Sequence, residues 1–141
     1  MFDRILFPAD AESGASTVFD HVLDVAESHE ATLHILHVAD TNQDSVTRID
    51  GQVIDVFERE GERIVDEYAE RAARRDVPVV TNVVQGGVPD TITAYADEYD
   101  IDLIIMSTRG RTGLERLLLG STTERVVRRA RVPVLTLHPD D

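Results

Sequence analysis

Hydrophobic positions in this chain follow two alternating patterns: short apolar runs, and longer stretches in which apolar residues return every three or four positions. The runs predict buried strands at Arg4 to Phe7, Thr32 to Val38, Val79 to Val84, Leu103 to Ser107 and Val132 to Leu137. Thr81 and Asn82 interrupt the third run, which marks it for an outer position in a sheet. The periodic stretches predict four helices. Residues 13–28 set Val18, Val22, Val25 and Ala26 on one face with Leu23 beside them. Residues 49–75 read as one long acidic helix with a stripe of Val53, Phe57, Ile64, Tyr68 and Ala72, interrupted by Gly61. Residues 88–99 carry Pro89 and Asp90 in the first turn, where both favour a helix start. Residues 121–130 are predicted to turn Val126 and Val127 inward, and the polar stretch 39–50 to be the least ordered.

Strand and helix alternate throughout, which predicts one α/β domain over residues 1–141: an open parallel five-stranded sheet with helices on both faces. Right-handed crossovers put helices on both sides of such a sheet. Ligands then lie beyond the carboxyl ends of the strands, where the winding reverses. The residues that follow each strand are therefore the ones to inspect.

Pro8-Ala9-Asp10 follows the first strand. Two roles are open to Asp10: capping a turn or helix, or accepting hydrogen bonds from a ribose hydroxyl. His37-Val38-Ala39-Asp40 ends the second strand, where a backbone edge can pair with a base. The fourth strand leads through Met106, Ser107, Thr108, Arg109 and Gly110 to Gly120-Ser121-Thr122-Thr123, a glycine and hydroxyls at a helix start. Free N–H groups and the helix dipole there can hold an anion. Ser121 can equally cap the helix, with Glu124 completing a capping box.

Composition narrows the chemistry. The chain has no Cys, so thiol nucleophiles, redox pairs and thiolate metal sites are excluded. It also has no Lys: all 14 basic residues are Arg. That excludes a phosphate-loop lysine and Schiff-base chemistry, leaving backbone amides, hydroxyls, Arg or a metal to handle phosphate. The net charge of −13 opposes binding to nucleic acid or anionic membranes. Excess acid with Arg in place of Lys resembles the surfaces of proteins from salt-accumulating halophiles, where ionic strength screens self-repulsion. Residues 109–131 run against this trend, with seven Arg against Glu115 and Glu124. Arg125, Arg128 and Arg129 suit the end of a helix, whereas Arg109 and Arg111 stand beside the proposed anion site. Charge and position make Arg109 a candidate phosphate contact.

The opening residues show no basic region followed by a long apolar stretch, and the longest apolar runs reach only six residues, so a soluble, cytoplasmic protein is expected. His21, His29, His34, His37 and His138 are scattered, and no side chain is assigned a catalytic role.

Along essentially its whole length the chain resembles the universal stress protein family. Ile5-Leu6-Phe7-Pro8-Ala9-Asp10 resembles that family's opening strand and acidic loop, and Leu33 to Val38 its second strand. Val84-Gln85-Gly86-Gly87-Val88-Pro89 resembles the turn before its third helix, and Arg131-Val132-Pro133-Val134-Leu135 its closing strand. ATP-binding members carry Gly, two residues, Gly, nine residues, then Gly followed by Ser or Thr. Gly110, the nine residues 111–119 and Gly120-Ser121 match; the first glycine is replaced by Ser107. A side chain at that position predicts weakened rather than abolished binding.

The resemblance implies a Rossmann-like fold of the adenine nucleotide alpha hydrolase type, with strand order 3-2-1-4-5. It implies that Pro8, Ala9 and Asp10 border the nucleoside, that the Val38 backbone recognises adenine, and that Met106 and Ser107 line the site. Gly110, Gly120, Ser121 and Thr122 would hold the phosphates of ATP, or of ADP or AMP, with Mg²⁺ or Mn²⁺ accompanying a triphosphate. It further implies a homodimer through the C-terminal strand 132–138, an uncovered edge suited to antiparallel pairing. The function expected is a nucleotide-binding regulator of the stress response with at most slow hydrolysis and a downstream protein partner yet to be identified. The alternative is a dimer of the same type that binds no nucleotide and acts through protein contacts. A nucleotidyl transferase signature of the His-x-Gly-His type is absent, and a phosphorelay receiver's Asp is missing where Val84-Gln85-Gly86 stands.

Overall fold

The computed structural model describes residues 1–9, 15–40, 46–49, 52–107 and 121–138. The strands are β1 (Arg4–Pro8), β2 (Thr32–Asp40), β3 (Val46–Ile49), β4 (Gln52–Asp55), β5 (Val79–Gly86), β6 (Leu103–Ser107) and β7 (Val134–Leu137). The helices are α1 (Ala15–His29), α2 (Val56–Ala73), α3 (Val88–Glu98) and α4 (Ser121–Arg129). Five strands form a parallel sheet in the order β5-β2-β1-β6-β7, the expected arrangement of the five apolar runs. The run broken by Thr81 and Asn82 is indeed an edge.

Successive side chains of a strand point to opposite faces, so strands covered on both sides must be apolar at every position. In β1, Ile5 and Phe7 pack with α1 and α2, through Val18, Phe19, Val22, Leu23, Ile64 and Val65. Leu6 faces the other way, onto a cluster holding Ile92, Tyr95 and Ala96 of α3 and Val126 of α4. In β6, Leu103 and Ile105 join the first cluster, Ile104 and Met106 the second. Phe19, buried at 0% exposure between Phe7 and Tyr68, belongs to the α1 stripe as firmly as the predicted valines.

Two expectations are corrected. The segment predicted as one helix from residue 49 opens with the last residue of β3 and all of β4, which pair as an antiparallel hairpin, and α2 begins only at Val56. Val53 therefore lies in a strand, paired with Arg48. The hairpin also falls within and just after the stretch expected to be least ordered. Val127 does not turn inward: it is 45% exposed, while Val126 beside it is fully buried. A nine-residue helix on a sheet buries a narrow stripe, and adjacent residues are about 100° apart around it.

Charged groups fasten the outer layer. Arg75 grips Glu27 through both carboxylate oxygens, Nε to Oε2 at 3.0 Å and Nη2 to Oε1 at 2.6 Å, and also reaches Asp24. Arg71 pairs with Asp20 at 2.8 Å while lying over the Phe19 ring. These contacts tie α2 to α1. They hold the Glu27 carboxyl below its ordinary range and push the Arg75 guanidinium further up. At the amino ends of the strands, the Asp102 carboxylate accepts from the N–H groups of Asp3 and Arg4.

Candidate functional site

The chain winds outward from β1 through β2 to β5, then α3 carries it back across the sheet to β6 and β7. The winding therefore reverses between β1 and β6, the position at which open α/β sheets bind ligands. Among the described residues the ladder there is the shortest in the sheet. It registers Ile5 with Leu103 and Leu6 with Ile104, and both strands run on beyond it. By contrast, β1 stays in register with β2 to Pro8↔Leu36, and β6 with β7 to Ser107↔Leu137. Pro8, Ala9, Met106 and Ser107 thus stand at the carboxyl ends of the two strands that flank the reversal.

On the β1 side, Ala9 continues the ladder: its N–H donates to the Leu36 carbonyl at 2.7 Å. Its own carbonyl accepts from His37 Nδ1 at 2.9 Å. A carbonyl can only accept, so His37 Nδ1 carries the proton. Val38 follows in β2, in register with Val84 and partly packed in the α3 cluster.

On the β6 side, Met106 is buried at 6% exposure and Ser107 is the last residue of the strand. Thr123, in the first turn of α4, donates its hydroxyl to the Ser107 carbonyl at 3.4 Å and is itself buried. Val126 one turn later locks the same helix onto the sheet. The start of α4 is consequently held against the end of β6, with Ser121 exposed and Thr122 half-buried beside it. Further along, Glu124 pairs with Arg128 at 2.8 Å, and Arg129 reaches Asp90 in the first turn of α3. The acidic residue thus lies in the first turn of α4 and the cations in its last, as the helix dipole favours.

Seven of the predicted site residues therefore gather at one end of the sheet: Pro8, Ala9, Val38, Met106, Ser107, Ser121 and Thr122. Asp10, Arg109, Gly110 and Gly120 lie outside the described residues. Sequence reasoning grouped Thr123 with the hydroxyls at the helix start, whereas that residue spends its hydroxyl on the strand, and it gave no site role to the His37 side chain. The signal for His37 was Gly61, a glycine inside a helical stripe, which marks a close approach. A Cβ at Gly61 would stand 2.6 Å from His37 Cδ2 and 2.9 Å from Val83 Cγ1. The backbone of α2 closes directly on the imidazole.

A second polar cluster lies on the opposite face. Asn82 donates to the Tyr95 hydroxyl at 2.8 Å, and His34 Nδ1 is hydrogen-bonded to the same hydroxyl, also at 2.8 Å. Burial pushes the His34 imidazole below its ordinary value, and nearby Arg4 adds to this. Burial raises Tyr95, partly offset by the bond from Asn82.

A doubly wound parallel sheet with its winding reversed beside a helix start defines a Rossmann-like α/β protein. More narrowly, the family model described as the universal stress protein family matches residues 1–138, and the chain belongs to that family. Universal stress protein MJ0531 of Methanocaldococcus jannaschii is 28% identical over 140 residues, covering 97% of this chain and 82% of its own. The crystal structure of a hypothetical protein, PH0823, is 31% identical with a TM-score of 0.73, covering 100% of this chain and 98% of that one. A universal stress protein crystallised in complex with cAMP superposes with a TM-score of 0.74 at 21% identity, over 99% of this chain and 98% of its own, a likeness of fold.

Proposed function

We propose that this universal stress protein binds an adenine nucleotide at the carboxyl ends of β1 and β6 and acts as a regulatory homodimer in the stress response. The observation that carries the reading is the short β1–β6 ladder, whose strands run on past their last registered pair beside the start of α4. A phosphate there would meet the free N–H groups and positive dipole end of α4, with the Ser121 and Thr122 hydroxyls beside them. The described residues fit such a group: Thr123 and Val126 fix the helix, and the Ser121 hydroxyl is exposed. Asp10 would take a ribose hydroxyl, the Val38 backbone the adenine edge, and Arg109, Gly110 and Gly120 the phosphates. The crystallised relative bound to cAMP supports an adenosine moiety as the ligand class.

ATP is the nucleotide proposed, with ADP and AMP as competitors. Among the described residues no group of three or more His, Asp or Glu gathers to hold a metal, so Mg²⁺ or Mn²⁺ would ride on the triphosphate. The protein is proposed to be a cytoplasmic, single-domain nucleotide sensor with a halophile-type surface. Hydrolysis would be slow at most. The dimer would form through residues 132–138, where β7 leaves one edge of the sheet open.

Calorimetric titration of nucleotide-stripped protein with Mg-ATP, ADP and AMP in molar KCl tests the reading. Saturation near one nucleotide per chain is expected. Gly120→Val should abolish binding, because a branched side chain blocks the approach of phosphate to backbone. Ser107→Gly should tighten it by restoring the first glycine of the motif. Absence of saturable heat from folded protein would leave the nucleotide-free interaction dimer as the function.

A further inference from the structure

We infer that His37 is a positioning residue for the nucleotide site, and that Gly61 exists to make room for it. The inference rests on the adenine-nucleotide reading and adds a residue that touches no ligand. Ala9 is the last described residue before Asp10, and both of its backbone polar groups are spent on β2. Its N–H goes to the Leu36 carbonyl and its carbonyl takes the His37 proton. The first bond holds the Pro8–Ala9 peptide and the second holds the Ala9 carbonyl, so the backbone at the carboxyl end of β1, where the nucleotide site is proposed, is set from β2.

The ring that does this has little freedom. His37 is 7% exposed, on the α1/α2 face near the carboxyl end of β2. The backbone of α2 at Gly61 lies so close to the imidazole that no side chain fits between them, and Val83 crowds the same point from β5. An imidazole packed this way keeps its Nδ1–H aimed at the Ala9 carbonyl. Both the neutral Nδ1–H tautomer and the imidazolium carry that proton, so the bond survives either state. The tautomer protonated only at Nε2 would set a lone pair against the carbonyl and break it. Any side chain at residue 61 would meet the ring or Val83, and movement of the ring releases the carbonyl.

Three variants and two readouts test this. In His37→Leu the volume is roughly kept and the donor lost; in His37→Asn the side-chain Nδ2 can stand in for Nδ1–H; in Gly61→Ala the ring is displaced with the donor still present. Titration with Mg-ATP should show a loss of about tenfold for His37→Leu and Gly61→Ala, the worth of one positioned hydrogen bond. His37→Asn should recover most of the wild-type affinity. The second readout is nitrogen NMR of the unliganded protein. Wild-type His37 is expected as the Nδ1–H form, and the Asp10 amide signal should move in His37→Leu and return in His37→Asn.

Equal affinity in wild type and His37→Leu overturns the inference, as does equal loss in the Leu and Asn variants. So does a wild-type His37 protonated only at Nε2, a result that needs no variant to fold. If the wild type binds no adenine nucleotide while the NMR contacts appear as described, the proposed function fails and the anchoring of the end of β1 by His37 stands.

Discussion

His34 and His37 share a strand three residues apart, face opposite sides of the sheet, and meet different partners. His37 donates from Nδ1 to the Ala9 carbonyl, whereas His34 Nδ1 is hydrogen-bonded to the Tyr95 hydroxyl. The His34 imidazole is held neutral by burial, with Arg4 adding to the effect. Its folded value lies below the unfolded value of about 6.5, so between the two the unfolded chain binds more protons and stability rises with pH. The contribution is complete above about 6.5 and drains away as the pH falls below it. Urea midpoints measured at pH 7.5 and 5.5 should show this acid-side loss, and His34→Asn, whose amide can still hydrogen-bond Tyr95, should reduce it. A loss of the same size in the variant would put its source elsewhere. The histidines also show where sequence reading stops. They were expected to be structural or exposed rather than catalytic, and which atoms they meet depends on residues 28 positions away for His37 and 61 for His34.

Among the elements, three helices end in the same way. Glu30, Asp76 and Asp100, just past α1, α2 and α3, all adopt left-handed backbone angles, with φ of 53°, 57° and 53°. The next N–H in each case reaches back five residues: Ala31 to Ala26, Val77 to Ala72, Ile101 to Ala96. This closure usually employs glycine, because other residues strain in the left-handed region, and an acid there also faces the negative end of the helix dipole. Asp76→Gly should therefore stabilise the protein by about 0.5–1 kcal/mol in a urea titration at low salt. Destabilisation would mean that unfolded-state entropy outweighs the relief of strain.

Most of the elements were legible because the inner strands β1, β2 and β6 are covered on both faces and each helix on one, so burial wrote a distinct period into each. The β3–β4 hairpin was not. Its strands span four residues each, too short for alternation to outweigh the helical stripe that begins in the same window. The local signal was Asp50-Gly51, a dipeptide favoured between hairpin strands, placed between Ile49 and Gln52, which pair. The candidate site was legible by the same logic in reverse. Strand ends can be found from the pattern, but the contacts that hold them, such as Thr123 on Ser107, require the fold.

At the scale of the whole molecule, charge and edges matter most. With a net charge of −13, self-repulsion should be felt most where salt no longer screens it. Lowering KCl from molar to about 0.1 M lengthens the Debye screening distance from about 3 to 10 Å. The melting temperature should fall across that range, and a constant value would contradict a halophile-type surface. The sheet has two open edges, β5 and β7. On β7, Leu135 is 37% exposed. If that edge joins two chains, Leu135→Arg should halve the mass measured by light scattering, since an edge charge opposes strand pairing. An unchanged dimer would direct attention to another face.

The division of the sheet coincides with a division of the chain. β5, β2 and β1 lie side by side and all precede Gly87, whereas β6 and β7 both follow it. Among the described residues, the short ladder between β1 and β6 is the only strand pairing between these two blocks, and a nucleotide at the site proposed for its end would touch both. The two blocks of sheet meet like the pages of an open book, with the short ladder as its spine. Cut at the turn before α3, the chain would yield two pieces that a ligand at the proposed site would clasp, so that occupancy could be read as reassembly.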